Sequence, residues 1–378
     1  MINLRNQIDQ IDDQIVKLYN QRMEIVKEVA IKKQADKNAI NDPFREKNII
    51  NRVTSEVDAD IKVYTKHLFD TIFDTSKAYQ SQLMNLDSNI SNTIKAILAK
   101  GQLKFPDSAT VACQGVQGSY SSLACEKLFA ISDITFFKNF EGVFNSVEKG
   151  LCKYGILPIE NSSVGSVNAV YDLMKKHNFY IVRSIKLPID HHLLTKNKIA
   201  IKDIKEVVSH EQALSQCSEF LSQLKDVKIT VCDNTATAAQ MVANSSSTNI
   251  ACISSGLCSD LYGLTKLANS IQNSDNNYTR FICISKELEI FKNSNKTSIM
   301  VTIPHESGSL NKLLSKFTTL GLNLTKLESR PLASSNFEFL FYFDFEGDVT
   351  DIGVLNLLAD LDNRSQQFTY LGSYNEVR

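Results

Sequence analysis

Residues 4–33, LRNQIDQIDDQIVKLYNQRMEIVKEVAIKK, decide how the first part of the chain folds. Apolar residues recur there at alternating spacings of three and four, which is the spacing of a helix face that packs against other helices. Arg22 stands where this spacing predicts an aliphatic residue, and Lys33 returns to the same face one turn after Val29. The apolar stripe consists of Leu4, Ile8, Ile11, Ile15, Leu18, Ile25 and Val29.

Two further cations accompany this stripe: Arg5 flanks its start, and Arg45 follows in the next segment. Burying an unpaired cation is costly, so several cations that converge on one helix face predict an enclosed site for an anion. The alternative is that these side chains extend their charged ends into water, as most cations beside a helix stripe do. The recurrence of these cations along one face favours an enclosed anion site over side chains that extend into water.

The scarcity of proline and glycine indicates that the first 90 residues are helical. Residues 2–90 contain one proline, Pro43, and no glycine. Asp42 and Pro43 have the order of an N-cap followed by proline at the first helical position. Because the first helix is too long to bury its stripe against two shorter neighbours, we expect an intertwined dimer. The first predicted helix ends near residue 37. The second covers 43–57, and the third covers 60–95.

Composition excludes several classes of protein. A chain of 378 residues predicts two or three domains, and a net charge of -1 argues against nucleic acid as a partner. No apolar run is long enough to span a bilayer, and the start enters an amphipathic helix without a signal-peptide core. The eight cysteines lack C-x-x-C spacing. We therefore expect reduced, mostly buried thiols in a cytoplasmic protein.

Composition changes after residue 100, where Gly101, Pro106 and Asp107 mark a linker. Short apolar runs then alternate with helical stretches, which predicts α/β architecture with largely parallel strands. Residues 286–296 read as a second linker. The predicted domains are 1–95, 108–286 and 297–378. The predicted strands include Thr110–Cys113, Ile156–Pro158, Ile181–Val182, Val207–Val208, Ile229–Cys232, Ile250–Ile253 and Phe281–Ile284.

The last domain has the element order of a ferredoxin-like α+β sandwich, βαββαβ. Its predicted strands are Ser298–Ile303, Leu322–Ser329, Phe337–Phe345 and Phe368–Gly372, and its predicted helices run from Gly308 to near Gly321 and over Thr350–Leu361.

The polar residues of the helical region form a set whose order and spacing closely resemble the active site of the all-α chorismate mutases. The set contains no histidine, cysteine or activated serine for nucleophilic work, so such a site would act by shape and preorganised electrostatics. The set consists of Arg5, Arg22, Lys33, Asp42, Arg45, Glu46, Ser76 and Gln80.

This resemblance implies a pocket that rearranges chorismate to prephenate. It implies that Arg5, Arg22 and Arg45 hold the two carboxylates. Lys33 and Gln80 would donate to the ether oxygen, and Glu46 would hold the ring hydroxyl. In that family, the equivalent of Arg5 reaches into the pocket from the partner chain.

Four polar strings in the middle region resemble prephenate dehydratase, and they occur in that family's order. They are GVQGSYS at 115–121, PIENSSVG at 158–165, SHEQALSQC at 209–217 and NYTRF at 277–281. The resemblance implies two α/β lobes arranged like a periplasmic binding protein, with catalytic Thr279 in the cleft between them. Val116 departs from the family, which usually has proline in this turn. The other implied cleft residues are Glu160, Asn161, Ser209, His210, Gln216 and Thr235.

The implied second reaction converts prephenate to phenylpyruvate, water and carbon dioxide, with no metal or organic cofactor. The hydroxyl of Thr279 has a very high pKa, so we expect it to donate a hydrogen bond rather than a free proton. Glu160 is the alternative acid if burial raises its pKa. His210 has a structural alternative as a loop residue, and we expect His191 to be structural.

The final domain resembles the ACT regulatory module. The strings Gly308-Ser309-Leu310 and Glu328-Ser329-Arg330-Pro331 carry this resemblance, which implies phenylalanine binding across a dimer interface and feedback inhibition. Phe337 stands near a position where the family often has tryptophan. Together the three regions resemble the bifunctional chorismate mutase–prephenate dehydratases. The alternatives are a dehydratase with a helical dimerisation arm and a non-catalytic small-molecule sensor.

Overall fold

The computed structural model describes residues 2–36, 38, 40–84, 87–306, 308–331 and 339–377. The chain forms two compact units. The first unit contains residues 1–101 and 296–370, and the second contains 102–295 and 371–378. The three-domain division stays a prediction. Across the described residues, no helix has both the length and the apolar character needed to cross a bilayer.

Four helices form the N-terminal region: α1 (Ile2–Ala35), α2 (Pro43–Ser55), α3 (Lys62–Leu83) and α4 (Asn89–Ala99). The first two predicted helices are confirmed, and the Asp42 carboxylate caps α2 by accepting from the amide of Arg45 at 3.0 Å. The single helix predicted over 60–95 is wrong. Ser88 and Ser91 cap each other's backbone amides at 3.2 and 2.8 Å, and this reciprocal cap starts a new helix.

Helix α1 packs on α3 through a face that is offset from the predicted stripe. Val26 and Ala30 are buried, whereas Ile25 and Val29 of the stripe remain 62% and 39% exposed. Arg22 and Lys33 are half-buried at the border of the packed face. Residues 2–18 of α1 are exposed throughout in the single chain.

The second unit contains two mixed sheets and seven short helices among its described residues. The strands are β1 (Ser108–Gln114), β2 (Ile131–Phe137), β3 (Tyr154–Asn161), β4 (Gly165–Ser166), β5 (Tyr180–Pro188), β6 (His192–Thr195), β7 (Glu206–Ser209), β8 (Lys228–Val231), β9 (Ile250–Ser254), β10 (Thr265–Ala268) and β11 (Tyr278–Ser285). The helices are α5 (Tyr120–Leu128), α6 (Phe140–Glu148), α7 (Asn168–Met174), α8 (Glu211–Gln216), α9 (Ser218–Leu221), α10 (Thr235–Asn244) and α11 (Gly256–Tyr262), with a 3₁₀ turn at Ile201–Asp203.

The first sheet has the order β5-β11-β3-β1-β2, with β4 on β3, and the second has the order β10-β6-β9-β7-β8. The seven predicted strands are confirmed, but the prediction of largely parallel pairing is wrong. Strands β2, β1 and β3 are parallel, as are β8, β7 and β9, whereas β11 runs antiparallel to both β3 and β5. Strand direction depends on where the chain returns to the sheet, and local periodicity does not contain that information.

The C-terminal part of the first unit has the predicted βαββαβ order. Its elements are β12 (Lys296–Ile303), α12 (Ser309–Thr319), β13 (Leu324–Pro331), β14 (Phe339–Glu346), α13 (Ile352–Arg364) and β15 (Phe368–Val377). The strands are ordered β13-β14-β12-β15, which is the ferredoxin-like arrangement. The last strand is longer than predicted, and its residues from Leu371 belong to the second unit. Phe337 lies outside the described residues.

Helix α13 packs against α3 and α4, so the helical region and the βαββαβ region share one unit. The side-chain amide of Asn356 donates to the carbonyl of Ser81 at 2.7 Å. The carboxylate of Asp362 accepts from the amide of Ile90 at 3.1 Å. These bonds satisfy backbone groups at the end of α3 and at the start of α4.

Candidate active sites

The first polar cluster forms where α1 packs on α3. The Arg22 guanidinium donates to the hydroxyl of Ser76, which itself donates to the carbonyl of Ile72 at 2.5 Å. Ser76 is 4% exposed. Burial lowers the pKa of Arg22, with a smaller opposing effect from Tyr19. An arginine side chain is not deprotonated in proteins, so the guanidinium is a cation. The structure therefore holds a half-buried cation against a buried hydroxyl, and both residues belong to the predicted set.

Gln80 lies one turn beyond Ser76 on the same face of α3. Its amide nitrogen donates to the carbonyl of Ser76 at 3.3 Å, and the side chain is 7% exposed. Its Oε1 atom has no hydrogen-bond partner among the described residues. Because a buried polar atom without a partner is costly, this amide is suited to contact a ligand.

Two other predicted members, Lys33 and Glu46, make different contacts. The Lys33 ammonium donates to the carbonyl of Ile40 at 2.7 Å, which leaves two of its protons for other partners. Glu46 forms an ion pair with Lys77 at 3.2 Å. Sequence reasoning missed Lys77, although it directly follows Ser76.

Arg5 stands apart from this cluster within one chain. It is exposed on α1, and the interval between residues 5 and 22 corresponds to about 25 Å along a helix axis. Arg5 and Arg22 of the same α1 helix therefore cannot contact one small ligand. The roles of Arg5 and Arg45 remain predictions.

In the second unit, a cleft opens at the carboxyl ends of parallel strands. Strands β1 and β2 of one sheet and β7 and β8 of the other end at this cleft, which is where open α/β sheets bind ligands. The lining residues are Gln114, Lys138, Asn139, His210, Glu211, Val231, Cys232 and Asp233.

Asn161 and Thr279 face each other across β3 and β11. The Asn161 amide nitrogen donates to the hydroxyl oxygen of Thr279 at 3.0 Å. Its carbonyl oxygen accepts from the backbone amides of Ser163 and Val164 at 3.0 and 3.1 Å. These two backbone donors fix the orientation of the Asn161 amide.

Gln216 joins Asn161 and Thr279 in one hydrogen-bond network. Its amide nitrogen lies 3.4 Å from Oδ1 of Asn161. Its Oε1 accepts from Asn277 at 3.1 Å and lies 3.0 Å from Nε2 of His191. Sequence reasoning missed Asn277, whose position two residues before Thr279 in the same string was an available signal. It also gave His191 no part in the site.

The remaining predicted cleft residues make their contacts elsewhere. The Ser209 hydroxyl donates to the carbonyl of Ile253 at 2.7 Å. His210 caps α8 by accepting from the amide of Gln212 at 3.3 Å, and it lines the cleft. Thr235 begins α10.

Glu160 lies opposite Arg280 in the β3–β11 register. Because side chains alternate along a strand, Glu160 and Asn161 leave the sheet on opposite faces. Arg280 is 4% exposed and forms an ion pair with Glu376 at 2.7 Å. Glu160 is therefore on the face of this buried ion pair rather than on the face of Thr279.

The turn at 115–121 has the predicted form. Gly115 and Gly118 adopt positive φ values of +109° and +86°, which favour glycine. Ser119 caps α5 by accepting from the amide of Ser122 at 3.2 Å. Val116, where the family usually has proline, packs with the core of the second sheet.

The predicted effector segments occupy a helix start and an edge strand. Gly308 has a φ of +83° and precedes α12, with Ser309 and Leu310 half-buried at its first positions. Glu328 lies on β13, at 3.7 Å from Arg330. Ser329 is exposed between them.

No group of three or more metal-ligating side chains lies close enough to hold an ion in the described part of the chain. All eight cysteines are free, and seven of them are buried.

Two family models match the chain in the regions of these clusters. The model of chorismate mutase type II matches residues 4–81, and the model of prephenate dehydratase matches residues 111–289.

Two curated relatives cover different shares of the chain. The bifunctional chorismate mutase/prephenate dehydratase of Buchnera aphidicola subsp. Acyrthosiphon pisum is 31% identical over 99% of this chain and 96% of its own length. The arogenate dehydratase/prephenate dehydratase 2 of Arabidopsis thaliana is 38% identical over 70% of this chain and 72% of its own length.

A solved structure of prephenate dehydratase from Arthrobacter aurescens, in complex with L-Phe, resembles the chain with a TM-score of 0.65. It is 28% identical and covers 71% of this chain and 90% of its own.

Proposed function

Because this chain belongs to the family of bifunctional chorismate mutase/prephenate dehydratases, we propose that it converts chorismate to prephenate and then prephenate to phenylpyruvate. The observation that carries the proposal is the direct bond from Asn161 to Thr279, with Gln216 bound to the same asparagine. Three residues from separate strings meet there in one network. The contact between Arg22 and Ser76 supports the first activity in the same way.

The mutase step is a rearrangement within one molecule, so the protein contributes shape and fixed charge. Arg22 and Arg45 bind substrate carboxylates, and Arg5 of a second copy supplies the third guanidinium. Lys33 and Gln80 donate to the ether oxygen, where negative charge develops as the bond breaks. Glu46 holds the ring hydroxyl, with its carboxylate oriented by Lys77.

The dehydratase step breaks two bonds of prephenate. The ring carboxylate leaves as carbon dioxide, its bonding electrons complete the aromatic ring, and the ring hydroxyl departs and takes up one proton to become water. Thr279 donates a hydrogen bond to the departing hydroxyl. Asn161 already donates to the Thr279 oxygen, so the threonine proton points away from Asn161 and is available to the substrate.

The C-terminal domain is the regulatory part of this proposal. Phenylalanine binds at the Gly308–Leu310 helix start with Glu328, Ser329 and Arg330 from a second copy, and it inhibits the dehydratase. The backbone amides at a helix start suit an amino-acid carboxylate. The protein acts in the cytoplasm as a homodimer or higher homo-oligomer, in which the exposed stripe of α1 is buried.

One assay tests both activities. Purified protein is incubated separately with chorismate and with prephenate, and prephenate and phenylpyruvate are followed over time. Turnover of both substrates is expected. Turnover of prephenate alone would identify a dehydratase with a helical arm, and binding without turnover would identify a sensor. Arogenate belongs in the same assay, because a 38% identical relative is named for arogenate dehydration.

A further inference from the structure

His191 ends the hydrogen-bond network of Thr279 on its buried side. The residue is 2% exposed, and its Nδ1 atom has no hydrogen-bond partner among the described residues. Its backbone is held on both sides, since its amide donates to Gln272 at 3.0 Å and its carbonyl accepts from Ile271 at 2.8 Å. A histidine fixed this firmly beside Gln216 is suited to orient that side chain.

The direction of each bond in the network follows from two backbone amides. Ser163 and Val164 donate to one side-chain atom of Asn161, which must therefore be its oxygen. The nitrogen of Asn161 consequently faces Thr279. The atom of Gln216 that approaches the Asn161 oxygen must be a donor, so it is Nε2.

The remaining atom of Gln216 is then an acceptor, and it faces His191. Asn277 donates to the same Oε1 atom, which agrees with this assignment. Nε2 of His191 lies 3.0 Å from that oxygen and must carry a proton to bond with it. The tautomer of His191 is thus set by a series of contacts that begins at the backbone.

We propose that His191 is a positioning residue of the dehydratase, which acts as the second donor beside Asn277 and holds the Gln216 amide with its nitrogen on Asn161 in the network of Thr279. The hydrogen bonds run in one direction, from His191 to Gln216, from Gln216 to Asn161 and from Asn161 to Thr279. Without His191, the Gln216 oxygen keeps only the donor from Asn277 among the described contacts, and the Gln216 amide is held less firmly. This inference rests on the proposed dehydratase function.

The surroundings of His191 keep it neutral. Burial lowers the pKa of the imidazole, and the neighbouring His192 acts in the same direction, whereas the bond to Gln216 and the Asp190 carboxylate oppose the shift. The edge of the Tyr120 ring packs against the imidazole with 6.1 Å between ring centroids. A neutral ring with its proton on Nε2 is the form that the network requires.

Three substitutions of His191 separate donation from packing. His191→Leu removes both ring nitrogens at similar volume. His191→Gln places an amide donor as many bonds from Cβ as Nε2, whereas His191→Asn places one only as far as Nδ1. The matched control is His192→Leu, because His192 is also buried but bonds to Ser270 and Asp190 instead.

Each variant is assayed with prephenate for kcat and KM, with chorismate for mutase turnover, and by thermal unfolding. We expect His191→Leu to lower the dehydratase kcat about 10- to 100-fold with KM nearly unchanged, which is the usual loss for an orienting partner. His191→Gln should recover most of this loss, and His191→Asn should not. Mutase turnover should stay at the wild-type level throughout.

Several results would overturn the inference. One is an unchanged dehydratase kcat in His191→Leu, and another is an equal dehydratase kcat in His191→Gln and His191→Asn. The third is a loss of dehydratase kcat that follows the fall in unfolding temperature and also occurs in His192→Leu. If His191→Leu does not fold, the difference in dehydratase kcat between His191→Gln and His191→Asn still tests the inference. A wild-type protein without dehydratase turnover would instead contradict the proposed function.

Discussion

The two polar clusters differ in how much of each one chain completes. In the dehydratase cluster, Asn161 and Gln216 are each bound on several sides, and Thr279 is held at 3.0 Å. In the mutase cluster, Gln80 keeps a buried oxygen without a partner among the described residues, and Arg5 lies about 25 Å away along α1. The motifs of the two sites looked equally complete in the sequence. Folding of one chain connects the members of the first cluster only; for the second, we propose that a ligand and a second copy supply the missing contacts.

The largest expected effect tests the dehydratase cluster. Thr279→Val keeps the shape of the side chain and removes the hydroxyl, so phenylpyruvate formation should fall about 10³-fold while mutase turnover persists. The measurement is steady-state turnover of both substrates, with Thr135→Val on exposed β2 as the control. A variant that keeps most of its dehydratase turnover would make Thr279 a structural residue.

The next largest effect tests the mutase cluster. Arg22→Ala removes the half-buried cation that we propose binds a substrate carboxylate, and this loss should cost roughly 3–4 kcal/mol of transition-state stabilisation. Mutase turnover should drop by two to three orders of magnitude, while turnover of supplied prephenate stays normal. The control is Arg52→Ala, which removes an exposed charge from α2. Normal chorismate conversion would favour an arginine that merely extends to water.

A smaller effect tests whether a second copy completes the mutase site. Ile11 and Ile15 are each 55% exposed in the single chain, one turn apart on α1. Ile11→Glu with Ile15→Glu should dissociate the dimer and lower mutase turnover about 10- to 100-fold, since the partner's Arg5 is then lost. Light scattering and turnover are measured together. The control adds the same charges on the opposite face, as Asn6→Glu with Asn20→Glu. A dimer that survives the isoleucine changes would contradict the proposed interface.

Local signals predicted much of this molecule. Asp42-Pro43 defined the start of α2, and the βαββαβ order followed from short apolar runs and Gly308. The break before α4 was missed because a reciprocal serine cap at Ser88 and Ser91 is a weaker signal than a serine–glutamate capping box. The direction of β11, by contrast, depends on pairing with β3 and β5, which no short window contains.

The candidate dehydratase site shows the same difference between local and long-range information. Asn161 and Thr279 could be named from their strings, but their contact depends on the β3–β11 register. His191 could not be assigned because it meets Gln216 only after two sheets have formed. The offset of the packed face of α1 was also hidden, since Ile25 and Val26 are both apolar and the neighbouring helix decides which is buried.

Phenylalanine should separate the two activities further. A ligand that favours an inhibited state should reduce dehydratase turnover more than mutase turnover, with coupling of about 1–3 kcal/mol between sites. Gly308→Val places a β-branched residue at a φ of +83°, which should distort the helix start and weaken inhibition about fivefold or more. Calorimetry with phenylalanine checks binding directly. Absence of heat from wild type at millimolar ligand, or unchanged binding by the variant, would exclude this site.

The smallest expected effect is a difference in pH sensitivity between the two regions. Burial lowers the pKa of His191 below its ordinary value of 6.5, so the unfolded chain binds its proton first as pH falls. Stability of the second unit should therefore decline from about pH 6.5 down to the folded-state pKa, by at most about 1.4 kcal/mol per pH unit for this group. His191→Gln should flatten this decline, and the lowered pKa of His192 should leave part of it. Hydrogen exchange of the β5 and β11 amides between pH 7.5 and pH 5.5 measures the change. His67→Gln, an exposed change on α3, should leave the decline intact. If His191→Gln and His67→Gln have the same pH dependence, the neutral, buried state of His191 contributes nothing to the stability of the dehydratase network.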